Sequence, residues 1–180
     1  MIFYYECDAL MTHRNINFIG YGSLLSHAWI RETLSDRTFY PVIVEGFKRI
    51  FNVDDVEERS RAKKYADILN IIESPGIFFN GVLFKIDEVE LIELKSREDV
   101  YVFERVATKD YYTGTIIEPC FVSIDYNIDI DIGKKYPDKN YLHLCREAAY
   151  AISDDFGTLW DQTTYLSSGM PVSEYLAKKS

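Results

Sequence analysis

The strongest constraint on this chain is a succession of short runs rich in β-branched, aliphatic and aromatic residues, each closed by turn-forming residues. Such runs read as strands, because Val, Ile, Phe and Tyr fit a pleated, half-buried surface. The first starts at Ile16 and enters a Gly-bounded turn, Tyr21-Gly22-Ser23-Leu24. Pro41 to Phe51 reads as a longer strand passing through Gly46. Ala66–Glu73 and Gly81–Ile86 flank Ser74-Pro75-Gly76, whose turn chemistry predicts a hairpin. Tyr101–Thr108 and Thr115–Ile124 are joined through Tyr112-Thr113-Gly114. Pro119 has no N–H to give a ladder, which confines the last run to an edge or a bulge.

Helical signals are fewer. Ser26 is a candidate cap for a short helix reaching Leu34. Asp87-Glu88-Val89-Glu90 has the spacing of a capping box, opening a helix to about Arg97 in which Glu93 and Arg97 stand one turn apart. Lys139–Ser153 places Tyr141, Leu142, Leu144, Cys145, Ala148, Ala149 and Ile152 on one face. The tail from Phe156 to Leu176 is mixed and aromatic, and is expected to wrap the domain. Strands outnumber helices and connections are local, so the expectation is one α+β domain over 15–180 with a curved mixed sheet or small mixed β-barrel and flanking helices. Residues 1–14 read as an arm or an edge strand.

Composition narrows the function. The 180 residues suit one domain, and 14 Tyr with 11 Phe favour a β-rich core or an aromatic pocket over a helical bundle. A net charge of −9 argues against nucleic acid and against an anionic membrane surface as partner, since both require clustered Lys and Arg. No apolar run has the length of a membrane span or of a signal peptide. Cys7, Cys120 and Cys145 form neither a disulfide framework nor a zinc motif, which points to buried thiols in a reducing cytoplasm. His13, His27 and His143 have no metal-ligand spacing and read as structural or surface residues. The run Asp125-Tyr-Asn-Ile-Asp129-Ile-Asp131 lacks the Gly and Glu of a calcium loop, carrying Ile130 and Tyr136 in those places. The run Glu57–Lys64 reads as a solvated charged loop.

Two features carry chemistry. Ser23 follows Gly22 in a tight turn, yet two leucines follow it where a nucleophile elbow needs another pattern. It reads either as a turn or capping serine, or as part of a turn at a helix N-terminus whose backbone N–H groups receive a carboxylate or a developing oxyanion. Glu98 stands four residues beyond Leu94 and seven beyond Leu91. If the helix continues through it, the carboxylate shares the apolar inward face, where desolvation raises its pKa toward that of a general base. If the helix ends at Arg97, Glu98 lies in solvent.

Taken together, these residues resemble the gamma-glutamylcyclotransferase-like family, which includes the AIG2-like and ChaC-like proteins. Phe18-Ile-Gly-Tyr21-Gly22-Ser23-Leu24 is similar to the family's substrate loop, and Val44–Asn52 to its second strand. Leu69-Asn-Ile-Ile72 through Ser74-Pro-Gly76 to Asn80-Gly-Val-Leu-Phe84 resembles its central hairpin. Leu94-Lys-Ser-Arg-Glu98 falls where the family ends Leu-x-x-x-Glu on its catalytic glutamate, and Tyr101 and Arg105-Val106 follow. Lys95, Asp99 and the closeness of Tyr101 to Glu98 depart from the family pattern.

The resemblance implies a lyase that takes a small gamma-glutamyl substrate. In such enzymes the glutamyl unit's alpha-amine attacks its own gamma-carbonyl, releasing 5-oxoproline and an amine without metal or cofactor. Glu98 would be the general acid/base; Tyr21, Gly22, Ser23, Leu24 and Tyr101 would bind substrate. The departures at Lys95, Asp99 and Tyr101 motivate an alternative, a catalytically inactive small-molecule binding module on the same fold. A third reading is a related enzyme that removes gamma-glutamyl groups from a biosynthetic intermediate or from protein lysines.

Overall fold

The structure is a computed structural model, describing residues 15–32, 34–54, 67–97, 102–126 and 137–179. Expectations for the arm 1–14, the charged run Glu57–Lys64, Cys7, His13, Glu98, Asp99 and Tyr101 lie outside the described residues, as do those for 127–131.

Among the described residues six strands form the sheet: β1 (Ile16–Gly20), β2 (Tyr40–Asp54), β3 (Asp67–Ile86), β4 (Val102–Asp110), β5 (Ile116–Ile124) and β6 (Thr164–Tyr165). Their order is β3-β1-β5-β4-β2, and β2 pairs back onto β3, so five strands close into a barrel with β6 appended to β2. The β1–β5 and β2–β6 pairs are parallel and the rest antiparallel. The expected mixed barrel with flanking helices is the fold, and closure removes the sheet edges that would otherwise be exposed. Phe18, Val42, Val44, Ile71, Phe79, Val82, Phe84 and Val122 are fully buried within it.

One expectation is corrected. Ser74-Pro75-Gly76 does not turn a hairpin; β3 runs on through it and pairs with β2 along both halves. Glu45 pairs with Phe78 and Phe47 with Glu73, so Gly46 alone stands opposite residues 74–77. Gly46 at φ 83° and Gly76 at φ 82° adopt the left-handed backbone that this wide bulge needs. Turn chemistry therefore bends a two-stranded ribbon here rather than ending one. Pro119 takes the bulge option: Val106 pairs with Cys120 and Thr108 with Ile117, leaving Glu118 and Pro119 opposite Ala107.

The helices are α1 (His27–Arg31), α2 (Glu88–Arg97), α3 (Lys139–Ile152), α4 (Asp154–Thr163) and α5 (Val172–Ala177). The capping box is present at α2. Asp87 Oδ1 accepts from the Val89 and Glu90 N–H groups at 2.9 Å, and Glu90 Oε2 accepts from the Asp87 N–H at 3.1 Å. Ser26 precedes α1 without a side-chain capping bond, and that helix is shorter than expected. The tail holds a helix the pattern did not announce, α4, whose cap is Ser153 accepting from the Phe156 N–H at 3.1 Å. Gly157 permits the close α3–α4 packing, since a Cβ there would enter the Tyr150 ring. Among the described residues no helix is long and apolar enough to cross a membrane.

Candidate active site

The turn after β1 is shaped by crowding. A Cβ on Gly20 would sit 2.7 Å from the Leu24 carbonyl oxygen, and one on Gly81 would sit 2.8 Å from the Gly20 carbonyl oxygen. Neither site accepts a side chain, so Tyr21–Leu24 folds back tightly over the end of β1. Ser23–Leu25 forms a single 3-10 turn, with Leu25 N–H donating to the Gly22 carbonyl and Ser26 N–H to that of Ser23, both at 3.0 Å. Leu24 and Leu25 are buried and anchor the turn from beneath. The first N–H groups of any helical turn have no acceptor within it, so Gly22, Ser23 and Leu24 present donors of the kind that receive an anionic oxygen.

Tyr21 points into the protein. Its hydroxyl donates to the Ser123 carbonyl at 2.8 Å, and its ring meets that of Phe79 edge-on, centroids 5.8 Å apart. Tyr141 of α3 leans over the turn from the other side: a Cβ on Gly22 would lie 2.7 Å from the Tyr141 hydroxyl oxygen. Tyr21, Gly22, Ser23, Leu24, Leu69, Ser123 and Tyr141 line a small depression of about 30 Å³. That is roughly one water molecule's share of space, enough for a single ligand oxygen.

The four expected loop residues are thus brought together at one depression. Leu69, Ser123 and Tyr141 join them without having been singled out. Tyr141 was legible only as an apolar-face residue of α3. The ChaC-like family model matches residues 16–158, a span that includes every residue lining the depression.

The chain belongs to the ChaC-like family.

Solved structures share this fold. A gamma-glutamyl cyclotransferase superposes with a TM-score of 0.68 at 19% identity, covering 93% of this chain and 100% of that one. An uncharacterized Homo sapiens protein gives 0.67 at 20%, covering 92% and 97%. YkqA from Bacillus subtilis gives 0.63 at 18%, covering 81% of this chain, which spans 52% of YkqA. No curated protein matches the chain in sequence.

Beneath the ChaC-like loop lies a cation that strand reading passed over. Arg49 of β2 is fully buried. Its Nε donates to Thr164 Oγ1 at 2.8 Å, Nη1 to the carbonyls of Asn80 and Tyr21, and Nη2 to Asn80 Oδ1, the Trp160 carbonyl and Thr163 Oγ1. Its guanidinium lies over the Trp160 ring at 4.8 Å and the Phe79 ring at 5.4 Å. Burial lowers its pKa to about 9, which leaves it charged at neutral pH. Its signal in sequence was parity, for Phe47, Arg49 and Phe51 alternate along one strand face.

The described thiols are no nucleophiles at neutral pH. Burial pushes Cys145 up to about 12 and raises Cys120 as well. His27 stacks on Phe39 with centroids 4.0 Å apart, and His143 pairs with Glu147 on the exposed face of α3.

Proposed function

We propose that this chain is a gamma-glutamyl cyclotransferase that releases 5-oxoproline and an amine from a gamma-glutamyl amide. The observation that carries the reading is the turn Tyr21–Leu24, with its donor N–H groups, at a depression sized for one oxygen. A substrate would place a carboxylate or gamma-carbonyl oxygen there and leave the remainder of the glutamyl unit outside it.

The chemistry needs one proton carrier. The alpha-amine nitrogen attacks the gamma-carbonyl carbon, a new C–N bond closes the five-membered lactam, and the original gamma C–N bond breaks. One proton leaves the attacking amine and one reaches the departing nitrogen, so no water is consumed. Glu98 is the residue assigned this transfer. Support comes from the sequence spacing, since Glu98 stands four residues beyond Leu94 and seven beyond Leu91, and in α2 Leu94 is fully buried and Leu91 partly so. Both reacting groups belong to one molecule, so correct folding of the substrate would supply several kcal/mol, up to ~7–11 in well-oriented cases. The free thiols Cys120 and Cys145 fit work in a reducing cytoplasm.

The test is a panel of gamma-glutamyl peptides, amino acids and amines assayed for 5-oxoproline. Release from at least one leaving-group class supports the reading. A rise in melting temperature with every compound inert would instead favour the binding module.

A further inference from the structure

We propose that Arg49 is a positioning residue for the substrate turn: by holding the Tyr21 carbonyl inward, it sets the direction in which the Gly22 N–H is offered to the ligand. The inference rests on the function proposed above for that turn.

The geometry is simple. The Tyr21–Gly22 peptide is trans, because the single cis bond among the described residues is Glu118–Pro119. In a trans peptide the carbonyl of one residue and the N–H of the next point in opposite directions. The Tyr21 carbonyl faces Arg49 Nη1 at 3.4 Å and Trp160 Nε1 at 3.5 Å, so the Gly22 N–H points away from the buried guanidinium. Tyr21 cannot roll about this peptide freely, since its hydroxyl is tied to Ser123 on β5. Gly22 has no Cβ to resist rotation, which makes the carbonyl anchor the determinant of where its N–H looks.

Arg49 itself is held as a tool would be. Every guanidinium nitrogen has an acceptor, from β3 (Asn80), the last turn of α4 (Trp160 carbonyl, Thr163) and β6 (Thr164). Asn80 is oriented in turn by donating to the Phe156 carbonyl at 2.8 Å. A cation at a helix C-terminus complements its dipole, which offsets part of the cost of burying the charge. An aliphatic side chain would fill the same space without that cost. What it lacks is a planar set of donors with fixed directions, and lysine lacks it too.

The experiment compares wild type with Arg49→Lys by two readouts, both well below the melting temperature of each protein. The first is kcat/KM for the best gamma-glutamyl compound. The second is the ¹⁵N–¹H amide resonance of Gly22 in glycine-labelled protein, with Gly76, in the bulge of β3, and Gly114, in the turn between β4 and β5, as references. We expect kcat/KM to fall at least about tenfold, and the Gly22 resonance to move while Gly76 and Gly114 stay. A purely structural role would lower the melting temperature alone. An unmoved Gly22 resonance, or unchanged kcat/KM beside a moved one, overturns the proposal. Wild type without turnover refutes the cyclotransferase reading instead, and the Gly22 resonance then decides the geometric claim. Should Arg49→Lys fail to fold, Thr164→Val, which removes the Nε acceptor, must move Gly22 in the same way; an unmoved Gly22 there overturns the proposal equally.

Discussion

The Tyr21 hydroxyl donates to the Ser123 carbonyl at 2.8 Å, which ties the residue leaving β1 to the end of β5, the strand running parallel beside it. Two neighbouring strand ends are thereby fixed at the rim of the same depression. Tyr21→Phe removes this bond and keeps the buried ring. A loss of about 1 kcal/mol in unfolding free energy is expected by urea denaturation. Turnover should fall as well, because the turn loses one of its anchors.

Gly20 and Gly22 should respond differently to alanine. At Gly20 the new methyl meets the Leu24 backbone, which cannot move without unwinding the turn. Gly20→Ala is expected to cost about 1–3 kcal/mol. At Gly22 the methyl meets the Tyr141 hydroxyl, the far end of a side chain. Gly22→Ala should therefore keep most of the stability and lose most of the turnover. Thermal denaturation and a 5-oxoproline assay on both variants check the contrast.

The Arg37–Glu90 pair gives an acid-side prediction. Arg37 Nη2 lies 2.7 Å from Glu90 Oε1, and this hydrogen bond, with the Asp87 N–H, holds the Glu90 carboxyl below the usual carboxylate range despite partial burial. A depressed folded-state pKa means the unfolded chain binds more protons, so the contribution is present above the unfolded pKa and is lost as pH falls through the folded one. Glu90→Gln should narrow the stability gap between pH 7 and acid. Urea midpoints for both proteins across that range provide the measurement.

Chemistry at the two described thiols, Cys120 and Cys145, should be dispensable. With Cys145 raised to about 12 and Cys120 raised too, neither is a thiolate at pH 7.5. Iodoacetamide is expected to leave both unlabelled in the folded protein by mass spectrometry, and to leave turnover intact. Labelling at both after denaturation completes the comparison.

Much of this fold was legible because local pattern and tertiary role agreed. Asp87 and Glu90 cap α2 as their spacing predicts, and the strand runs close into the expected barrel. Gly and Pro at 74–76 misled because the same residues that turn a hairpin also relax a wide bulge; only the partner strand, with Gly46 opposite, decides between them. Helix α4 was missed since its buried Phe156 and Trp160 read as a mixed aromatic tail, although Ser153 followed by two aspartates is a start signal. In the site, the turn Tyr21–Leu24 announced itself through Gly and Ser. Arg49 and Tyr141 did not, because their contribution depends on elements far away in the chain meeting beneath and above that turn.

Release of 5-oxoproline by wild type beside Glu98→Gln is the most direct test of the central claim. Wild type should turn over a gamma-glutamyl compound, and the glutamine variant, at unchanged melting temperature, should be slower by at least about a hundredfold. Equal rates for the two proteins, or no product from wild type with any gamma-glutamyl compound, would contradict it.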